Sequence, residues 1–150
     1  MSATETKADF QRVLQMLSTQ PALLDKYQLF VQQLNSDESV PAKILEMMRR
    51  RIGQIHGTAS KPLASVSPDE DLQLSRAQFS QFSDDAKAAL TIAELMPFGH
   101  ADISDDDVAK LQHYFGERGA VVVLVAAAFQ DVECRLAQSL DARFADVLAS

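Results

Sequence analysis

Four residues that could do chemistry fall within one short stretch of this 150-residue chain. Glu46 is followed ten residues later by His56, and Thr58 and Lys61 come directly afterwards. A carboxylate close to other polar side chains can act as a general base, and a lysine near a covered carboxylate can have a shifted pKa. The stretch therefore offers proton-transfer chemistry, with Glu46 as the base and His56, Thr58, Ser60 or Lys61 beside it.

These residues lie on or just after a predicted helix that runs from about Pro41 to His56. Ser39 is the candidate N-cap, and Pro41 suits the first turn, where the missing N–H has no partner to lose. Six apolar residues recur at helical spacing and form one stripe: Val40, Ile44, Met47, Met48, Ile52 and Ile55. The sequence therefore predicts that this helix buries one face in the core.

Two interpretations of Glu46 stay open, because it lies on the face opposite the apolar stripe. The simpler is a surface glutamate paired with Arg50, four residues further along the helix. However, Gly53 and Gly57 share the face of Glu46, and glycines allow another element to approach the backbone closely. In that case the carboxylate is covered rather than exposed.

The segment ILEMMRRRIGQIHG resembles the helix that leads into the active site of the carboxymuconolactone decarboxylase and alkylhydroperoxidase D (AhpD-like) superfamily. In that family a Glu is followed, after eleven residues, by Cys-x-x-Cys-x-x-x-His. Here eleven residues separate Glu46 from Thr58. Thr58 and Lys61 occupy the two Cys positions, and Ser65 occupies the His position. The spacing of the motif matches, but the two Cys and the His that carry its chemistry are replaced.

In the redox members, as the resemblance implies, one Cys thiolate attacks a peroxide, the second Cys resolves the sulfenic acid, and Glu and His relay protons. A threonine has no such oxidation chemistry, and a lysine cannot form a disulfide. We therefore expect a degenerate AhpD-like protein without dithiol peroxidase activity, acting as a helical oligomeric or binding protein. The alternative is an enzyme with altered, non-redox chemistry of decarboxylase or lyase type in the same cleft, with Glu46 as proton relay.

Helical patterns cover nearly the whole chain, so we predict a single all-α, AhpD-like domain of six or seven helices over residues 1–150. The first helix is expected over about Glu5–Thr19, and the second from Pro21 to about Asn35. Only residues 58–74 lack a continuous stripe of apolar residues at helical spacing. The resemblance implies that this segment is shorter here than in the family. Within it, Ser67 is expected to cap a short helix.

The second half of the chain continues the resemblance to the family. Ser83 is the predicted cap of one helix. Ser104 and Asp107 are the predicted cap of the next, which is expected to stop at Gly116. The last helix is predicted to begin near Glu117.

The last helix contains ten apolar residues without a break, from Ala120 to Phe129. Ten residues are too few to span a bilayer, which needs about 20, and a helix apolar all round must be covered on every side. We expect a central position or a neighbouring subunit to cover it, and the resemblance implies homo-oligomers (dimers, trimers or hexamers). Just beyond, Asp131 or Glu133 is the expected partner of Arg51, which falls inside the central apolar stripe.

Composition limits the classes of function. The net charge of −7 argues against a nucleic-acid partner. The single Cys134 permits no internal disulfide and is expected to be a buried, inert thiol in a reducing, cytoplasmic compartment. No signal-peptide pattern, metal-ligand spacing or glycine-rich phosphate loop is present in the sequence, so no membrane partner, metal or cofactor is predicted. Whether the protein binds a small-molecule ligand is left open by the sequence.

Overall fold

The computed structural model of the chain describes residues 13–58 and 65–139, and every regular element in these ranges is helical. This confirms the all-α class. The helices are α1 (described over residues 13–18), α2 (Pro21–Asn35), α3 (Ala42–His56), α4 (Pro68–Ser75), α5 (Asp84–Leu95), a 3-10 turn (His100–Asp102) and α6 (Asp105–Ser139). Within the described ranges, none of these helices combines the length and apolar character needed to cross a bilayer.

Helix α3 lies at the centre of the core, because it packs against α4, α5 and α6. The predicted stripe is buried at five of its six positions, and Ile55 is half-buried. The stripe packs in one cluster with the apolar side chains of α5 and α6, such as Leu90 and Val123. Each large aliphatic side chain buried in this way stabilises the fold by about 1.5–3 kcal/mol.

The two ends of α3 are formed differently from each other. Pro41, predicted in the first turn, is itself the N-cap residue, and no side chain caps the helix there. Ser39 is not the cap, because its hydroxyl and its backbone N–H both bind the carboxylate of Asp37. At the other end, Gly57 has φ 74°, a left-handed conformation that glycine adopts without strain, and this turns the chain out of the helix before Thr58.

Serine residues cap the N-termini of α4 and α6, as predicted. Ser67 accepts a hydrogen bond from the backbone N–H of Glu70 at 3.1 Å, and the Glu70 carboxylate accepts one from the Ser67 backbone. Ser104 and Asp107 form the same reciprocal pair. Ser83 precedes α5 but makes no capping bond through its side chain. Gly116 interrupts α6 at the predicted point, with φ 73° and ψ 177°, and divides it into two arms.

The expected partner of Arg51 was wrong. Arg51 pairs with Glu94 of α5, not with Asp131 or Glu133 of α6. Successive residues of a helix point about 100° apart, so the side chain of Arg51 is directed towards α5 while Arg49 is the arginine near Glu133. The apolar stripe locates Arg51 at the core but does not tell which neighbouring helix supplies the acid.

Arg50 of α3 forms an ion pair with Asp71 of α4. Its guanidinium donates two hydrogen bonds to the Asp71 carboxylate, at 2.9 and 3.0 Å, and the side chain is buried. Gln54, one turn further, also donates to Asp71, at 3.3 Å. A buried guanidinium needs such a partner, because an unpaired buried charge is very costly.

Replacing Asp71 therefore has a large effect on stability. We expect Asp71→Ala to lower the free energy of unfolding by about 3 kcal/mol, because it leaves Arg50 buried without its carboxylate. Asp69→Ala is the matched control, since Asp69 is an exposed acid in the same first turn of α4 and loses only the helix-dipole contribution, about 0.3–1 kcal/mol. Urea unfolding measures both, and equal losses in the two variants would contradict the role of the Arg50–Asp71 pair.

Candidate functional site

The structure locates three of the four predicted site residues; Lys61 lies outside the described residues. Glu46 and His56 are on α3, and Thr58 follows its C-terminal glycine. His56 and Thr58 both face the second arm of α6. The His56 Nε2 atom lies 2.6 Å from the Asp131 Oδ1 atom, and the Thr58 hydroxyl donates to the sulfur of Cys134 at 3.3 Å.

Glu46 is covered, with 7% of its surface exposed. Its partner is Arg49, three residues along, and not Arg50 as the simpler interpretation required. The Arg49 guanidinium donates Nε–H and Nη2–H to the two carboxylate oxygens, at 3.0 and 3.1 Å. Arg50 is unavailable because it is committed to Asp71. Both oxygens of the predicted base are therefore occupied by one guanidinium.

Glu133 of α6 adds a second carboxylate beside Arg49. Tyr27 of α2 donates its phenolic hydrogen to this carboxylate. Burial raises the pKa of Glu133, although the Tyr27 hydrogen bond and the Arg49 charge act in the opposite direction. Burial also raises the pKa of Tyr27 well above its usual range, and the Glu133 carboxylate raises it further. We call the six residues that meet here the Glu46 cluster: Tyr27, Glu46, Arg49, Thr58, Glu133 and Cys134.

The thiol of Cys134 is the one group in the cluster with redox capacity. Burial raises its pKa, and the nearby carboxylates of Glu133 and Asp131 raise it further, against a lowering by the Thr58 hydrogen bond. A thiol held in the protonated form is a poor nucleophile. The geometry therefore agrees with an inert thiol.

His56 is held beside the cluster by Asp131, which in turn binds Arg135. The Oδ2 atom of Asp131 accepts a hydrogen bond from Arg135 at 2.9 Å, and Arg135 also donates to the Pro97 carbonyl at 2.8 Å. A carboxylate that binds one imidazole nitrogen orients the ring, as in many catalytic sites. Here Thr58, the nearest hydroxyl in sequence, donates to Cys134 and not to the imidazole. The described contacts therefore give a histidine–aspartate pair without a nucleophile.

A cavity of about 440 Å³ lies elsewhere, at the end of α4 and the segment that connects it to α5. Its lining contains no residue of the Glu46 cluster and is formed by Gln73, Ala77, Gln78, Phe79, Ser80 and Gln81. Among the side chains of residues 13–58 and 65–139, no group of three or more His, Cys, Asp or Glu is arranged to hold a metal ion. His100 and His113 are exposed and lie on other elements.

Sequence reasoning missed Tyr27, Arg49, Asp131 and Glu133 as members or neighbours of the site. Arg49 carried a local signal, since it follows Glu46 by three residues on one helix. The other three residues come from α2 and α6, and the contact between Tyr27 and Glu133 spans 106 positions of the chain. A pattern of neighbouring residues in the sequence cannot predict a contact over this distance.

No protein-family model, curated protein or solved structure matches this chain. The AhpD-like resemblance therefore rests on the spacing around Glu46 and on the order of the helices alone.

The buried Glu133 predicts a pH dependence of stability. Its folded-state pKa is raised above the ordinary value near 4.5, so its contribution to stability is greatest below that pH and declines as the pH rises through the folded-state pKa. Glu133→Gln keeps an acceptor for Tyr27 but cannot ionise. We therefore expect the variant to gain stability relative to the wild type as the pH rises from 4 to 7, measured by urea unfolding.

Glu117→Gln is the control for this titration, because Glu117 is an exposed acid on the same helix. The control should follow the wild type at every pH. A constant difference between Glu133→Gln and the wild type from pH 4 to 7 would show that Glu133 is not titrating in a buried site.

Proposed function

We propose that this protein is a degenerate AhpD-like protein: a non-peroxidase helical protein that acts as an oligomeric scaffold or binding protein. The frame from Glu46 to Ser65 supports the family resemblance, and the replacement of both Cys and of the His supports the loss of redox chemistry. The all-helical fold and the central place of α3 agree with both.

The observation that carries the proposal is the occupied carboxylate of Glu46. A general base needs a free lone pair that can reach a substrate proton. Both Glu46 oxygens accept from Arg49, and the residue is buried. One lone pair on each oxygen is engaged in this way, and burial limits the access of a substrate to the remaining ones.

An enzyme with altered, non-redox chemistry is the second candidate. One observation favours it: the His56–Asp131 pair lies next to the cluster and has the geometry of an oriented imidazole. In that reading the proton passes between Glu46 and a bound substrate, which requires Arg49 to release the carboxylate. The two candidates therefore differ in whether the Arg49–Glu46 pair opens when a ligand binds.

Peroxide consumption tests the loss of redox chemistry. We expect the purified protein, supplied with a dithiol reductant, to consume an organic hydroperoxide no faster than the reductant alone, because the one thiol is protonated and has no resolving partner. Cys134→Ser is the matched control and should give the same rate. A protein-dependent rate that disappears in Cys134→Ser would overturn the proposal.

A thermal-shift screen distinguishes the scaffold from the enzyme. Glu46→Gln should melt a few degrees below the wild type, because it removes a buried charge partner worth about 1–2 kcal/mol. Small aromatic acids, lactones and thiol cofactors should leave both melting temperatures unchanged. A compound that stabilises the wild type but not Glu46→Gln would instead support a working site at Glu46.

A further inference from the structure

The solvent face of the second arm of α6 is apolar over more than three turns. Val121, Val125 and Val132 are 59%, 37% and 47% exposed, and Ala128 between them is also exposed. These four residues recur at helical spacing on one side of the helix. Of the two kinds of cover expected for the Ala120–Phe129 segment, the central position is therefore wrong, because the single chain buries only the opposite side, and cover by a neighbouring subunit stays a prediction.

An outward helix face is normally polar, so this one needs an explanation. No charged residue occurs between Arg118 and Asp131. The apolar face continues onto Phe30 of α2, whose ring packs edge-on against Phe129 with the centroids 4.8 Å apart. Phe98, which is 75% exposed, follows the proline whose carbonyl binds Arg135 and so lies near the other edge.

We propose that this face binds the same face of a second copy of the chain, with the two α6 helices antiparallel about a twofold axis. The four residues Val121, Val125, Ala128 and Val132 are separated by four, three and four positions. This spacing is the same in both directions, so the antiparallel arrangement sets Val121 against Val132 and Val125 against Ala128. A twofold interface requires a surface complementary to itself in this way.

The charges at the two ends of the face favour the antiparallel direction. Glu117 and Arg135 are eighteen residues apart, which is five full helical turns, so they lie on the same side of α6. Both are exposed. The antiparallel arrangement brings Glu117 of one copy close to Arg135 of the other at both ends of the interface. A parallel arrangement would place like charges, Glu117 with Glu117 and Arg135 with Arg135, at the same level of the two helices and would give no such pairing.

The exposed apolar area is of the size found in dimer interfaces. The four α6 residues, Phe30 and Phe98 together present an exposed apolar surface on the order of a few hundred Å², the size of the largest patch on a typical monomer. A standard interface buries about 800 Å² on each partner, of which about 450 Å² is non-polar. The apolar area of the face is therefore of the order that one side of such an interface buries.

This inference deepens the oligomeric part of the proposed function and does not depend on the fate of the redox site. A chain that consumed peroxide could still dimerise through α6, and a chain without activity could still be monomeric. The peroxide assay can therefore contradict the loss of redox chemistry, and the experiments below can contradict the interface, independently of each other.

Site-directed cross-linking tests the direction and register of the helices. In a Cys134→Ser background, the two positions 125 of the dimer lie about 4.5 Å apart along the helix axis, and the two positions 121 about 16 Å apart, at 1.5 Å per residue. A disulfide requires α-carbons within about 7 Å. Val125→Cys should therefore form a covalent dimer under mild oxidation, and Val121→Cys, its matched control, should stay monomeric on a non-reducing gel.

Cross-linking of both variants to the same extent would overturn the antiparallel register, since a parallel pair brings each position to its own copy. Cross-linking of neither variant would overturn the interface.

Sedimentation equilibrium tests the interface in the native chain. The wild type should be dimeric at tens of micromolar, and Val125→Asp should weaken the dimer at least about tenfold, because it introduces a charge into an apolar interface. Thr91→Asp, an exposed change on α5, should dimerise like the wild type and controls for the added charge. A wild-type chain that stays monomeric at 100 µM, or a Val125→Asp dimer of unchanged affinity, would contradict the proposal.

Discussion

Three consecutive arginines on α3 set the constraint on which the rest of the structure depends. Arg49–Arg51 point about 100° apart around the helix, and each requires a carboxylate because the helix lies in the core. The acids come from three elements: Glu46 from α3 itself, Asp71 from α4 and Glu94 from α5. Charge pairing therefore orients α3 relative to two neighbouring helices at once, while the apolar stripe of α3 is buried in the core.

The same constraint decides what the candidate site can do. Because Arg50 and Arg51 are committed to α4 and α5, Arg49 is the arginine that remains for Glu46 and for the neighbouring Glu133 of α6. The position at which the resemblance implies proton relay is thereby filled by an ion pair. Cys134 lies beside this pair as a protonated thiol. The spacing around Glu46 matches the motif that it resembles, and the acidic position is closed by an ion pair within α3.

Local features of the fold could be predicted from the sequence, and non-local ones could not. The helix stripe of α3, the caps at Ser67 and Ser104 and the break at Gly116 depend on residues within one or two turns, so the pattern contains them. The partner of Arg51 depends on how three helices pack, and the stripe carries no such information. The same holds for Tyr27, whose contact with α6 could not be inferred from its own segment.

The apolar face of α6 could be predicted only in part from the sequence. The sequence showed that ten apolar residues need cover, but only the structure shows that one side of the helix stays exposed in the single chain. Since Glu46 is covered and one face of α6 is apolar and exposed, the binding surface that these residues offer lies on the outside of the molecule. These two observations are the basis of our proposal that the protein assembles with a second copy of itself.

The closed state of the Glu46 cluster is tested most directly by the rate at which a disulfide reagent modifies Cys134, the only cysteine in the chain. We predict that the native protein reacts at least about tenfold more slowly than the urea-unfolded chain at the same pH, because burial keeps the thiol protonated. Equal rates in the native and unfolded states would mean that the cluster is open and the thiol available. That result would contradict the account of a site closed by its own charges.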